Sequence, residues 1–336
     1  MFPLSRPFRH ALATVALIAA TVLPTVVVAT YAWRITRPGH IRDVEIVLGR
    51  QLGLQVTLDA VWYPRPGEVV YRGLVLRQEE PRGKGLVEIA RAGELRLVRG
   101  DRELTIHADG LALRGESPKL AMDQVGALLQ RSGELAFDRV SLTAPTCKLS
   151  LGDGLDFTVQ DLAGAFSVDQ ARPTLRAAYR LVEPGLKTRC ELTLSRDRAA
   201  EPVSTNLVLK TLEGLPPSAR VLNAFFDAAG WVGDRARVNG VLALRQSGGG
   251  PWEGDFTGDL LDVDLAVLVG RRFPRHRLAG SARVEVERAR WGDRPGLGPG
   301  WLEARGTLSS GPGTVGADLL TALSREMKFR LTPPAS

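Results

Sequence analysis

The sequence predicts a mainly β protein: an N-terminal apolar helix followed by an elongated, curved, groove-like antiparallel sheet with a few short inserted helices. Three observations predict it. Residues 11–33 form an uncharged apolar stretch unlike anything after it. From Leu54 onward the hydrophobic pattern has period two, strand after strand. Short Gly-, Asp- and Pro-containing turns separate those strands, and single helical stretches interrupt them without any alternation of strand and helix.

The apolar stretch, ALATVALIAATVLPTVVVATYAW, is twenty-three residues long. As a helix it would measure about 34 Å, enough to cross a hydrocarbon core of roughly 30 Å. Its length favours an uncleaved anchor over a cleaved signal, whose apolar core is usually about 7–15 residues. Tyr31 and Trp33 suit a membrane interface, and membrane helices tolerate a residue such as Pro24. Arg6 and Arg9 with the α-amino group flank one side, and Arg34, Arg37 and Arg42 the other, so charge leaves the orientation open.

Residues 1–10 are thus a short N-terminal tail, 11–33 the anchor and 34–53 a juxtamembrane amphipathic helix. In that helix Ile41, Val44, Ile46, Val47, Leu48 and Leu52 recur near helical spacing, and Gly53 is a stop. It could lie on a membrane surface or on the first strands. A first β-rich section occupies 54–215 and a second 216–336, ending in a helix over 314–328. Other helical patterns fall at Pro118–Arg131, Pro216–Gly230 and Asp264–Arg272.

The strands carry apolar residues on one side and Arg, Glu, Thr, Asp and Gln on the other. About fifteen strands cannot be covered by four short helices. The apolar face needs a second sheet, closure into a barrel, or an apolar ligand. By alternation, the residues lining that face are Val56, Leu58, Leu74, Leu76, Leu104, Ile106, Leu135, Phe137, Leu149, Leu151, Phe157, Val159, Leu192, Leu194, Leu207, Leu209, Val284 and Val286. A bulge would flip the set on any one strand.

Composition narrows the function. The net charge is +7, but the 44 basic residues are interleaved with 37 acidic ones, with no basic run and no aromatic-rich recognition strand. No nucleic-acid partner is expected. The four histidines stand at 10, 40, 107 and 276, none at metal-ligand spacing, and neither a nucleophile elbow nor a phosphate loop occurs. GLGPG at 296–300 and GDGLD at 152–156 read as turns. No enzyme activity, cofactor or metal is expected. Cys147 and Cys190 both lie in strand-like segments, and a disulfide and two buried thiols are equally compatible with that.

Two phrases carry a resemblance. The order of a basic N-terminus, an uncharged span, a short helix and GLQVTLDAVWYPRPGEVVYRGLVLR (Gly53–Arg77) resembles the start of AsmA-like envelope proteins, in the repeating β-groove, bridge-like lipid-transfer superfamily. WLEARGTLSSGPGTVGADLLTALSREM (Trp301–Met327) is similar to a strand–glycine–helix phrase that such proteins use late in the chain. The resemblance is sharpest over residues 1–110. It implies a single-pass inner-membrane protein with a periplasmic ectodomain, holding or passing phospholipid and contributing to outer-membrane homeostasis. The residues themselves allow an alternative, a β-rich periplasmic scaffold or assembly or secretion factor. About fifteen strands at roughly 4.8 Å reach about 70 Å at most, so a longer reach needs an envelope protein partner or self-association at a sheet edge.

Overall fold

The computed structural model describes residues 16, 20, 22–30, 32–33, 37, 39–79, 85–115, 137–150, 156–167, 169, 171–224, 229–270, 277–294 and 298–327. Strands make up 61% of the described residues, in a long curved antiparallel sheet with few short helices. Of the expected anchor at 11–33, residues 11–15, 17–19, 21 and 31 lie outside the described residues, and the expected helix at 118–131 lies wholly outside them. Residues 22–30 and 32–33 are helical. No helix among the described residues is long and apolar enough to cross a membrane.

The helix after that stretch, α1 (His40–Leu52), ends where Gly53 takes a left-handed φ of 68° and returns its N–H to the Gly49 carbonyl. Of the two placements open to it, α1 takes the one on the sheet. Ile41, Val44 and Leu48 pack on Val56, Leu58, Val61 and Tyr71. Glu45 fixes the contact by accepting a 2.7 Å hydrogen bond from the Leu58 N–H.

The strands follow in order. They are β1 (Gln55–Thr57), β2 (Ala60–Trp62), β3 (Glu68–Glu79), β4 (Leu86–Arg99), β5 (Glu103–Asp109) and β6 (Leu111–Arg114). Next come β7 (Arg139–Ser150), β8 (Asp156–Ser167), β9 (Thr174–Glu183), β10 (Leu186–Asp197) and β11 (Ser204–Gly214). A 3₁₀ turn (Ala219–Ala224) and α2 (Ala229–Val232) precede β12 (Arg237–Ser247), β13 (Trp252–Asp264) and α3 (Leu265–Gly270). The chain continues through β14 (Leu278–Ala279), β15 (Ser281–Arg294), β16 (Gly298–Ser310), β17 (Thr314–Val315) and α4 (Ala317–Met327).

Fifteen of these strands form one sheet, in the order β1-β3-β4-β5-β7-β8-β9-β10-β11-β12-β13-β15-β16 with β2 beside β3 and β6 between β4 and β7. Its end strands β1 and β16 do not pair with each other, so the sheet is open rather than closed into a barrel. The only other sheet among the described residues is the two-stranded pair β14–β17. The expected antiparallel meander has one exception: β5 and β6 run parallel to β7. A parallel neighbour requires a long return connection, and the segment between Arg114 and Arg139 supplies it. Three sequence boundaries shift. Phe137 precedes β7 rather than lying in a strand, and its ring sits under Arg99 at 5.3 Å. Thr314 and Val315, expected to start the last helix, pair with β14, and that helix starts at Ala317. The Pro216–Gly230 pattern becomes the 3₁₀ turn and α2, which bracket residues outside the described set.

One structural feature recurs in six neighbouring strands. Side chains on one face of a strand normally stand two residues apart. Here they stand three apart at Leu58/Val61, Tyr71/Leu74, Ala92/Leu95, Ala108/Leu111, Ala144/Cys147 and Val159/Leu162, all buried or packed on the same apolar face. The interruption falls at the same level of the sheet each time. β1 and β2 share one register on β3 across it, and β5 and β6 share one register on β4 and on β7. They are therefore single strands broken at this seam. Gly73 occupies the break in β3 with φ 59°, and Asp161 that in β8 with φ 50°. Pro145 sits in the break of β7, between the pairs Ala144↔Leu162 and Thr146↔Gln160, where a missing N–H does the least harm to the ladder. Along β9 alternation is continuous through Leu175, Ala177, Tyr179 and Leu181, and the extra residue is absorbed by a register shift between Gln160 and Ala163. Aligned interruptions of this kind bend and twist a sheet.

The seam makes one glycine indispensable. A Cβ on Gly73 would lie 1.8 Å from Asp59 Oδ2, at a φ that L residues avoid. Gly185, with φ 76° and nothing within 4 Å, carries the conformational cost alone. Gly73→Ala is expected to destabilise the protein by about 2–4 kcal/mol and Gly185→Ala by only about 1 kcal/mol. Urea unfolding of the full chain, followed by tryptophan fluorescence, measures both. Equal losses would show that the Asp59 contact contributes nothing.

Candidate functional site: an apolar sheet face

Because registers are fixed strand by strand, apolar residues line up across the sheet as well as along each strand. One row runs Val69–Leu97–Ile106–Leu142–Gly164–Ala177–Leu192–Leu209–Leu242–Phe256–Ala289–Ala304, each residue directly opposite the next. It crosses from β3 to β16 without a polar side chain. A second row runs Leu104–Val140–Phe166–Leu175–Leu194–Leu207–Leu244–Gly254–Trp291. At its end the Trp291 ring occupies the space above Gly254, where a Cβ would meet the indole at 2.1 Å. On the far side of the seam a third row runs Val56–Leu76–Ala90–Leu113–Leu149–Phe157.

These rows contain most of the residues selected by alternation. Val56, Leu76, Leu149 and Phe157 lie in the third row, Ile106, Leu192 and Leu209 in the first, and Leu104, Leu194 and Leu207 in the second. Leu58 and Leu74 pack in the cluster under α1. Val159 joins Cys147, Leu181 and Cys190 in another, and Val284 and Val286 pack beside Phe256. Leu135 and Leu151 lie outside the described residues. Phe137 lies off the strands. Sequence reasoning missed Leu142, Phe166, Ala177, Leu242 and Phe256. Each sits in a strand whose alternation was visible, so the same signal would have found them.

Coverage of the face is uneven. Toward the second half it is sealed: Leu194, Leu207 and Leu242 are fully buried, with Val221 and Leu222 of the 3₁₀ turn packed on the same cluster. Val263, Leu265 and Ala282 close the end beside α2 and α3. Over β4–β10, Leu97, Ile106, Leu142, Ala177 and Leu192 are only half-buried. The opposite face is polar and wet, with cross-strand pairs such as Arg72–Glu94 at 3.1 Å, Arg283–Asp259 at 2.9 Å and Arg288–Asp255 at 2.7 Å. Exposed pairs of this kind contribute about 0–1 kcal/mol each.

Polar chemistry is sparse among the described residues. No group of three or more His, Cys, Asp or Glu side chains could hold a metal ion there. His107 Nδ1 lies 2.7 Å from Thr143 Oγ1 on the outer face. That pair borders a cavity of about 680 Å³ at the seam, lined also by Glu94, Asp109 and Asp161. Asp161 is paired with Arg180 at 3.2 Å and Glu94 with Arg72, so two of its carboxylates are neutralised. A second cavity, of about 820 Å³, opens between α1 and the first strands. Val44, Val47, Leu48 and Tyr71 give it apolar walls, and Arg37, His40, Asp43, Gln51 and Tyr63 a polar rim. His40 Nε2 lies 3.0 Å from the Tyr63 hydroxyl. Burial, and secondarily Tyr63, pushes the Tyr71 hydroxyl above its ordinary range, so it stays neutral.

Cys147 and Cys190 are free, buried and members of one cluster, which settles them as two thiols rather than a disulfide. No family model, curated protein or solved structure matches this chain.

Burial pushes both thiols up to about 11, above the ordinary value of 9.0 that the unfolded chain would show. A thiol raised in the folded state favours folding below pH 9, and that contribution disappears as pH rises through the folded value. Stability is therefore expected to fall by about 1–3 kcal/mol per thiol between pH 9 and 11. Urea unfolding across that range measures the loss, and a Cys147→Ala/Cys190→Ala variant should remove the thiols' share, leaving the part above pH 10 that belongs to Tyr71 and Tyr179, whose hydroxyls burial also raises above 10.0. Neither thiol should react with a soluble maleimide at pH 7.5 until the protein is unfolded.

Proposed function

We propose that this is a membrane-anchored envelope protein that holds or passes phospholipid, with acyl chains lying on the half-buried part of the apolar face. The observation that carries the reading is an open sheet whose apolar rows run unbroken across its strands while only part of that face is covered. A soluble monomer does not leave such a face to water without reason. Five strand spacings from β4 to β10, at roughly 4.8 Å, give about 24 Å of this surface. That exceeds the roughly 15 Å depth of one leaflet's hydrocarbon, half of a core of about 30 Å.

The mechanism is passive. Each CH₂ kept from water contributes about 0.8 kcal/mol, and a lipid leaving a bilayer regains on the protein what it loses in the membrane. The polar headgroup stays in water at the edge of the sheet. No chemical step is involved. The N-terminal apolar stretch is the anchor in this reading, supported by the exposed side chains of Val22, Leu23, Val26, Val27 and Val28. It would hold the α1 end of the sheet at the inner membrane with the ectodomain in the periplasm.

A second reading is favoured by the sealed half of the face. A dry core under the 3₁₀ turn is what a β-rich scaffold for envelope protein partners would contain. The two readings separate in one experiment. Leu192→Asp puts a charge into the half-buried stretch of the first row. Lipid co-purifying with the full chain, measured by extraction and mass spectrometry, should fall at least tenfold while the far-ultraviolet circular dichroism is kept. A wild-type chain free of acyl lipid would overturn the lipid reading in favour of the scaffold.

A further inference from the structure

The cavity between α1 and the sheet lies where the apolar face begins. Its wall residue Tyr71 stands opposite Val61 on one side and Leu95 on the other, and Leu95 stands opposite Ala108. An apolar chain entering beside Val44 and Leu48 therefore continues onto the sheet without crossing a polar side chain. Its volume of about 820 Å³ falls in the range of small-ligand sites, and it joins apolar walls to a polar rim.

The rim carries charge of both signs. Arg37, whose guanidinium lies 4.6 Å over the Trp33 ring, supplies a cation next to the C-terminal end of the apolar stretch. Asp43 in the first turn of α1 supplies an anion. Both are exposed and accessible. The His40–Tyr63 pair adds hydrogen-bonding groups to the same rim. A purely anionic headgroup would satisfy the arginine and be repelled by the aspartate. A headgroup holding a phosphate and an ammonium satisfies both, with the phosphate on Arg37 and the ammonium donating to Asp43.

We propose that this cavity is the headgroup site for a zwitterionic aminophospholipid, from which the acyl chains pass onto the apolar rows at Tyr71. The proposal rests on the lipid reading above and names the lipid class and the loading point. The site selects by headgroup charge, and the sheet beyond it accepts any acyl chain.

The test uses the full chain in detergent micelles containing equal amounts of phosphatidylethanolamine and phosphatidylglycerol, with bound lipid counted by native mass spectrometry. Wild type should retain phosphatidylethanolamine over phosphatidylglycerol by roughly three- to fivefold, the scale of one exposed charge contact. Asp43→Asn should erase that preference without lowering total lipid. Arg37→Gln should lower both lipids by a similar factor. Neither position is buried, so both variants should fold. If wild type binds lipid that Leu192→Asp sheds, yet has no headgroup preference or keeps it in Asp43→Asn, the headgroup site is wrong and the apolar-face reading stands. If wild type retains neither lipid, both fall together.

Discussion

A β-sheet that is apolar on one face has to keep that face from water, and every other feature of this molecule answers to that requirement. Thirteen strand positions joined edge to edge present far more apolar surface than one helix can cover. Among the described residues the demand is met in three ways. α1 lies over the first strands through Ile41, Val44 and Leu48. The 3₁₀ turn packs Val221 and Leu222 on the face near its centre, and α2 and α3 close the far end around Val263 and Leu265. Between α1 and the turn the cover is thinnest, and there the cavity beside Tyr71 and the half-buried first row meet.

The aligned seam is the second consequence. A flat sheet of this length would twist steadily, but six strands in succession insert one extra residue at the same level. The insertion lets each strand keep its apolar side chains on the same face above and below the break. Pro145, Gly73 and Asp161 are compatible with a sheet interior because they occupy that line. It also explains the cavity on the outer face. Two successive residues of each broken strand are turned away from the apolar side, and Glu94, Asp109 and Asp161 gather there, Glu94 beside Arg72 and Asp161 beside Arg180.

The corrected geometry shortens the reach. Because β1 and β2 share one position, as do β5 and β6, thirteen positions and twelve spacings at roughly 4.8 Å give about 58 Å rather than about 70 Å. Spanning a wider gap would need a partner, and β1 and β16 are the two edges where pairing is unsatisfied by the main sheet.

The mainly β class, the position of most strands, the C-terminus of α1 at Gly53 and the apolar face were all legible in the sequence. They depend on period-two alternation and on local turn chemistry, which neighbouring residues encode by themselves. The choice of Leu192, Leu194, Leu207 and Leu209 needed nothing more. What lay beyond the sequence depends on residues far apart in the chain. Pro145 reads locally as a loop, and only the pairing of β7 between β6 and β8 reveals a strand passing through it. The parallel return of β7, the open edges and the alignment of the six interruptions are matters of register, which no single strand carries. The cavity joins His40 of α1 to Tyr63, just after β2, and to Tyr71 of β3, so no spacing in the sequence announces it. Alternation determined which side chains would be apolar and on one face. Pairing between distant strands decided that the sheet would stay open and where its apolar face would begin.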